Sequence, residues 1–231
     1  MKYTSDTFPE LVTLTNPKLT LLVRIVFLLF TTFLLVLLYL LPFALINDYT
    51  GSTEIYILIG IYALILTYGI YKFSKDYKKK STNAIHKIVV NKLGIQYHKL
   101  NGEIEHLSYK DLNKSKQLYT KDIFTKTIGV NISSKTLLKV FYNQQERTIS
   151  FQNTDIFYTY LSTNSRELRQ HFLQGVTLYR PDLKIADSVY NDFFINPNTF
   201  EFDKKGYKKT MIIALIISLV ILAIVFLSIN A

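Results

Sequence analysis

Tyr71-Lys72-Phe73-Ser74-Lys75-Asp76-Tyr77-Lys78-Lys79-Lys80 is the stretch whose reading decides the organisation of the chain. Five lysines against one acid follow directly on an apolar run of membrane length. Loop lysines and arginines are retained on the cytoplasmic side of a membrane and set the orientation of the spans beside them. The stretch therefore separates a membrane-embedded part, before it, from a water-soluble part of about 130 residues after it. It also fixes which way each part faces.

Working outward towards the N-terminus, Ile55–Tyr71 is apolar for 17 residues, the short end for a span, with Tyr56, Tyr68 and Tyr71 near its ends where amphipathic rings prefer the interface. Before it lies Asn47-Asp48-Tyr49-Thr50-Gly51-Ser52-Thr53-Glu54, a turn-forming acidic connector without Lys or Arg. Ile25–Ile46 is apolar apart from Thr31, Thr32, Tyr39 and Pro42. As a helix its 22 residues cover about 33 Å, enough for a hydrocarbon core of roughly 30 Å. Arg24 falls at its inner edge, with a side chain long enough to reach headgroups, and Pro42 is expected to kink the outer end. Asn16-Pro17 reads as a helix start, Asn as cap and Pro at the first helical position. A third apolar run, Met211–Ile229, follows Lys204, Lys205, Lys208 and Lys209. The short connector predicts a helical hairpin, and the lysines predict three spans with the N-terminus and middle region inside and the C-terminus outside. The N-terminus lacks a signal-peptide pattern, so the expected location is the inner membrane, multi-pass. The expected divisions are a cytoplasmic leader over 1–16, a transmembrane hairpin over 17–73, a folded domain over 84–175, an aromatic-rich juxtamembrane segment over 176–209 and a third span over 210–231.

The formal charge of +10 raises the question of nucleic acid. Its distribution answers against it. From Ala84 to Asp203 there are 15 basic and 12 acidic residues, so most of the excess flanks the apolar runs. That pattern fits an anionic leaflet and not a nucleic-acid face. The absence of cysteine excludes disulfides and thiol catalysis.

Between Ala84 and Phe151 the signals are those of strands and tight turns. Ile85–Val90 is rich in β-branched residues, Asn91–Gly94 reads as a turn, and Ile95–Leu100 follows. Asn101-Gly102 is the favoured two-residue hairpin turn, leading into Glu103–Tyr109. Ile128, Val130 and Ile132 alternate, as do Leu138, Val140 and Tyr142, and Asn143–Glu146 turns the chain into Arg147–Phe151. About six or seven antiparallel strands are predicted. A helix is predicted from Thr154 to about Gln174, broken near Ser162–Ser165, with Ile156, Phe157, Tyr160 and Leu161 on one face and Leu168, Phe172 and Leu173 on another. Asn164 with Glu167 three residues on is placed to cap its second half, and Gly175 to end it.

At Ile104-Glu105-His106-Leu107-Ser108-Tyr109-Lys110-Asp111-Leu112 an apolar strand runs into an aromatic-x-acidic-apolar turn, carried by Tyr109, Asp111 and Leu112. With the order of elements, this resembles bacterial membrane proteins that carry a pleckstrin-homology-like domain, in which tryptophan is commoner at the aromatic position. The resemblance covers about residues 84–175 and the flanking anchors. It implies a small β-barrel closed by one C-terminal helix and used for binding. The first hairpin turn here holds only Lys92, unlike the basic loop of inositol-lipid-binding relatives.

No residue pattern points to catalysis. His86, His98, His106 and His171 lack metal-ligand spacing, and His98 and His106 approach only across the Asn101-Gly102 hairpin. Glu103 and Glu105 share a strand face and read as a solvated edge; G-x-S-x-G, P-loop and H-E-x-x-H motifs are absent. No cofactor or metal is expected. Tyr179, Tyr190, Phe193, Phe194, Phe200 and Phe202 fit either a partner-binding or membrane-apposed flap or a cover for a sheet edge or the barrel mouth. The residues with a physical ligand are Lys72, Lys75, Lys78, Lys79, Lys80, Lys204, Lys205, Lys208 and Lys209, expected against the anionic lipid headgroups, each worth roughly 1 kcal/mol near such a leaflet. The expected function is non-enzymatic: a membrane protein presenting its domain on the cytoplasmic face to a protein partner. An anionic-lipid-responsive module and a membrane immunity or inhibitor protein are the alternatives.

Overall fold

The computed structural model of the protein describes residues 7–45, 53–117, 120–129, 134–153 and 155–229, with the backbone alone at 43–45 and 222–229. The connector at 47–52 and the alternation at Val130 and Ile132 lie outside the described residues.

Asn16 caps the first helix, its Oδ1 accepting the Leu19 N–H at 3.0 Å, with Pro17 at the first helical position. This helix, α1, runs Pro17–Leu45 through Pro42. The second, α2 (Thr53–Ser81), carries the helix through the lysine-rich stretch, whose charges suit the negative end of the helix dipole. Both are long and apolar enough to cross a membrane, and their apolar side chains lie exposed around the helices instead of along one buried face. Polar contacts fasten them antiparallel: the Tyr39 and Thr67 hydroxyls are 2.7 Å apart, and the Tyr62 hydroxyl donates to the Leu38 carbonyl at 3.2 Å.

The rest is α+β. One antiparallel sheet has the order β1 (Leu11–Val12), β2 (Ile85–Asn91), β3 (Gly94–Lys99), β4 (Ile104–Ser108). In the other, β7 (Lys135–Tyr142) is central, with β8 (Gln145–Ile149) on one side; on the other, β6 (Ile123–Ile128) pairs its first part and β5 (Leu112–Asn113) its last two residues. Ile88, Val90, Ile95 and Leu107 of the first sheet face Ile123, Leu138, Val140 and Ile149 of the second in one core. Helix α3 (Ser165–Tyr179) adds Leu168, Phe172, Leu173 and Val176, all fully buried and each worth about 2 kcal/mol. Short α4 (Asp187–Phe193) and long α5 (Lys204–Ile229) complete the chain.

Several expectations are corrected. The sheets do not close into a barrel: β4 and β8 each keep an edge unpaired among the described residues. The sheet grows at the opposite edge, where the expected leader supplies β1, pairing Leu11 with Val90 and Val12 with Val89. The β3–β4 turn has three residues, not two: Gly102, at φ 86°, donates its N–H to the Lys99 carbonyl and Lys99 pairs with Glu103. Strand β6 begins at Ile123, five residues before the first residue of the expected alternation, Ile128, which ends it.

The helix predicted from Thr154 begins only at Ser165. Asp155 Oδ1 accepts the N–H groups of Phe157 (2.9 Å) and Tyr158 (3.4 Å), giving the backbone a local alternative to helix. The carbonyls of Ile156 and Thr159 are then taken by Arg24, and the Thr163 N–H goes to the Leu14 carbonyl. Asn164 makes no side-chain cap; its amide grips the N-terminal segment through the Leu14 N–H (2.7 Å) and the Val12 carbonyl (2.9 Å). Gly175 does not end the helix but sits inside α3, where a Cβ would overlap the Tyr109 hydroxyl, so close packing and not a cap accounts for the glycine.

Candidate membrane-interface site

Segment 155–161 joins the folded domain to both membrane-length helices. At its end, the Leu161 carbonyl accepts the Asn16 N–H at 3.0 Å, and its N–H donates to Thr20 Oγ1 at 2.9 Å. Two turns along α1, Arg24 donates from Nε to the Ile156 carbonyl at 2.8 Å and from Nη2 to the Thr159 carbonyl at 3.0 Å, with its guanidinium 5.6 Å from the Tyr160 ring centre. Phe157 meets Phe27 edge-on at 4.8 Å and Tyr77 at 6.0 Å. The Tyr77 hydroxyl donates to Asp155 Oδ1 at 2.7 Å. The segment is a bracket: backbone carbonyls and one carboxylate facing a guanidinium from α1 and a phenol from α2.

Arg24 was expected to reach headgroups; it binds carbonyls instead. The sequence gives no role to Asp155 or Tyr77, and places Phe157 only on the apolar face of a helix. The local signal was an Asp two residues before an aromatic pair, a turn former where helix had been read.

All nine lysines of the expected headgroup set are exposed, and none forms an ion pair among the described residues. Lys72, Lys75 and Lys79 follow the spacing of one face of α2, away from the face carrying Phe73 and Tyr77. Lys205, Lys208 and Lys209 border a shallow patch with Ile212 and Ile213 at the start of α5.

The aromatic segment after α3 divides its work. Tyr179, Tyr190, Phe193 and Phe200 pack against the core, and Lys184–Ala186 pair with the outer edge of β6 through Asp122 N–H to Lys184 O and Ala186 N–H to Ile123 O. That part covers a sheet edge. Phe194 and Phe202, before α5, form a separate cluster with Tyr207 of its first turn, and Arg166 of α3 lies 3.6 Å from the Phe202 ring centre. Arg169 stacks 3.8 Å over Phe193; burial pushes its guanidinium down to about 10, still protonated at neutral pH. Two arginines thus staple the approach to α5 onto α3.

At the other end of the domain, polar residues converge between the sheets. Lys99 bridges Glu103 (3.2 Å) and Glu105 (3.1 Å), and Arg147 pairs with Glu105 and lies 5.3 Å from the Tyr142 ring centre. Two bases balance two acids, so the cluster is locally neutral, and its Arg147–Glu105 pair ties β8 to β4. His98 packs edge-on to His86 at 6.5 Å, burial lowers its pKa, and no group of three metal-ligating side chains occurs among the described residues.

Compared with known proteins, the chain matches no family model, no curated protein and no solved structure.

Proposed function

We propose that this protein is a non-enzymatic membrane platform that presents its two-sheet domain on the cytoplasmic face to a protein partner. In this reading α5 is a third span, the C-terminus lies outside, and the domain is a pleckstrin-homology-like module whose two edge strands are joined by an ion pair where a barrel would close. The observation that carries the reading is the open edge of β4, beside which Leu100 and Ile104 are 42% and 45% exposed on a domain fastened to two membrane-length helices. An open edge is a template for an added strand, its backbone groups giving affinity and neighbouring apolar side chains giving selectivity. The ladder leaves specific groups free. Lys99 bonds Glu103 and Tyr109 bonds Leu93, so by alternation the N–H groups of Ile104, His106 and Ser108 point away from β3.

The test is affinity capture of the full chain from native membranes in mild detergent, beside a His106→Pro variant. Proline at that position removes an outward donor and spares the β3 ladder. A protein captured by the parent and lost from the variant is expected. Monodisperse parent with nothing captured, or identical capture by both, contradicts the reading. The exposed lysine face of α2 and the Lys205–Ile213 patch favour a second reading, a lipid-responsive module. That reading requires binding to anionic vesicles that weakens with salt.

A further inference from the structure

We infer that segment 155–161 is a membrane-interface anchor whose Tyr158 and Tyr160 rings lie in the headgroup layer of the leaflet that α1 and α2 enter. The inference rests on those two helices crossing a membrane; it does not depend on a protein partner.

The level of the segment follows from its contacts. It touches α1 at Asn16 and Thr20, then at Arg24, then at Phe27. Eleven residues of helix separate the first contact from the last, so the segment climbs about 16 Å along α1. Phe157 therefore stands beside Phe27, the third residue of the apolar run, past the charge of Arg24. On α2 the same ring meets Tyr77, amid Lys75, Lys78, Lys79 and Lys80. An apolar band on one helix and a basic band on the other stand at the same height, which is the composition of a headgroup boundary.

At that height the segment carries two rings that stay about half exposed, Tyr158 at 44% beside Tyr77 and Tyr160 at 49% beside Arg24. Amphipathic rings are favoured there, with the apolar body against acyl chains and the hydroxyl towards phosphate and glycerol oxygens. The surrounding lysines attract the same phosphates. Arg24 completes the arrangement by neutralising carbonyls that would otherwise meet the apolar layer unpaired. The occupant these features fit is phospholipid, with acyl chain, glycerol and phosphate each finding its counterpart.

The chain contains no tryptophan, so one introduced tryptophan reports alone. Full-length Tyr158→Trp and Tyr160→Trp variants are reconstituted in phosphatidylcholine–phosphatidylglycerol vesicles. Lipids brominated near the top of the acyl chain quench the tyrosine sites from within, a parallel set brominated midway along the chain quenches Leu34→Trp, and acrylamide quenches from the water. Leu34→Trp, midway along α1, reports insertion, and Leu93→Trp, in the β2–β3 turn, reports water. Both tyrosine-site variants are expected to lose about half their emission to the lipid brominated near the top, as Leu34→Trp does to the midway set, while Leu93→Trp responds only to acrylamide. If Leu34→Trp is quenched by lipid and both tyrosine-site variants behave as Leu93→Trp does, the anchor is overturned while the membrane reading stands. If Leu34→Trp also escapes the brominated lipid, the membrane reading fails, and the anchor with it. Shielding of both sites in native membranes, with water exposure in vesicles, would assign the surface to a protein and overturn the lipid assignment.

Discussion

Tyr109 shows how single atoms set the domain's tolerance. Its ring lies between Phe172 and Tyr179, and its buried hydroxyl has no hydrogen-bond partner among the described residues and presses on Gly175. Gly175→Ala should therefore destabilise the protein by about 1–3 kcal/mol through overpacking. Tyr109→Phe, which removes an unsatisfied buried hydroxyl, should be neutral or stabilising and should restore part of the loss when combined with Gly175→Ala. Denaturant midpoints of the four proteins check the cycle. His171 gives a pH dependence. Its ring stacks on Phe8 at 4.1 Å, its Nε2 lies 2.7 Å from the Pro9 carbonyl, and burial lowers its pKa. The unfolded chain, with an ordinary histidine pKa of about 6.5, takes up a proton that the folded chain refuses. Its contribution is complete above that pH and is lost as the pH falls below it. Melting temperatures should therefore fall from about pH 6.5 to pH 5, and less steeply in His171→Gln. His98, lowered in the same sense, accounts for part of the remaining slope.

Among the elements, the 155–161 bracket carries most of the connection between α1, α2 and the domain. Replacing Arg24 with Met keeps an apolar stem but leaves the Ile156 and Thr159 carbonyls unpaired. Hydrogen bonds to a charged group are worth about 1.5–3 kcal/mol, so amide exchange across 155–161 should accelerate by tenfold or more while α3 keeps its protection. Equal acceleration in both would mean that Arg24 supports the whole domain and not the bracket. The strands β2 to β4, β7 and β8 were legible because alternation and turn residues are local properties of their own sequence. The 155–161 segment was not legible, because its helical periodicity is overridden by partners more than 130 residues away on α1. Asn164 was misread for the same reason: its residue type suits a cap, but Val12 and Leu14 compete for its amide. β1 escaped notice because a two-residue edge strand has no periodicity to detect.

For the whole molecule, two membrane-length helices were plain from apolar run length, and an α+β domain from strand and helix signals. Barrel closure was not, since it depends on whether two edges meet across the core, and here β4 and β8 are linked by the Glu105–Arg147 ion pair and not by a backbone ladder. The lysine clusters mark an exposed surface with one shallow patch at Lys205–Ile213, a shape that selects no single ligand. The account depends above all on the domain and the connector between α1 and α2 lying on opposite sides of a membrane. The chain has no cysteine, so single cysteines at Glu54 and Leu93 can be labelled with a membrane-impermeant maleimide without background. The account expects Glu54→Cys to be labelled in intact cells and Leu93→Cys only after permeabilisation. Equal labelling of both in intact cells, or the reverse order, would contradict it.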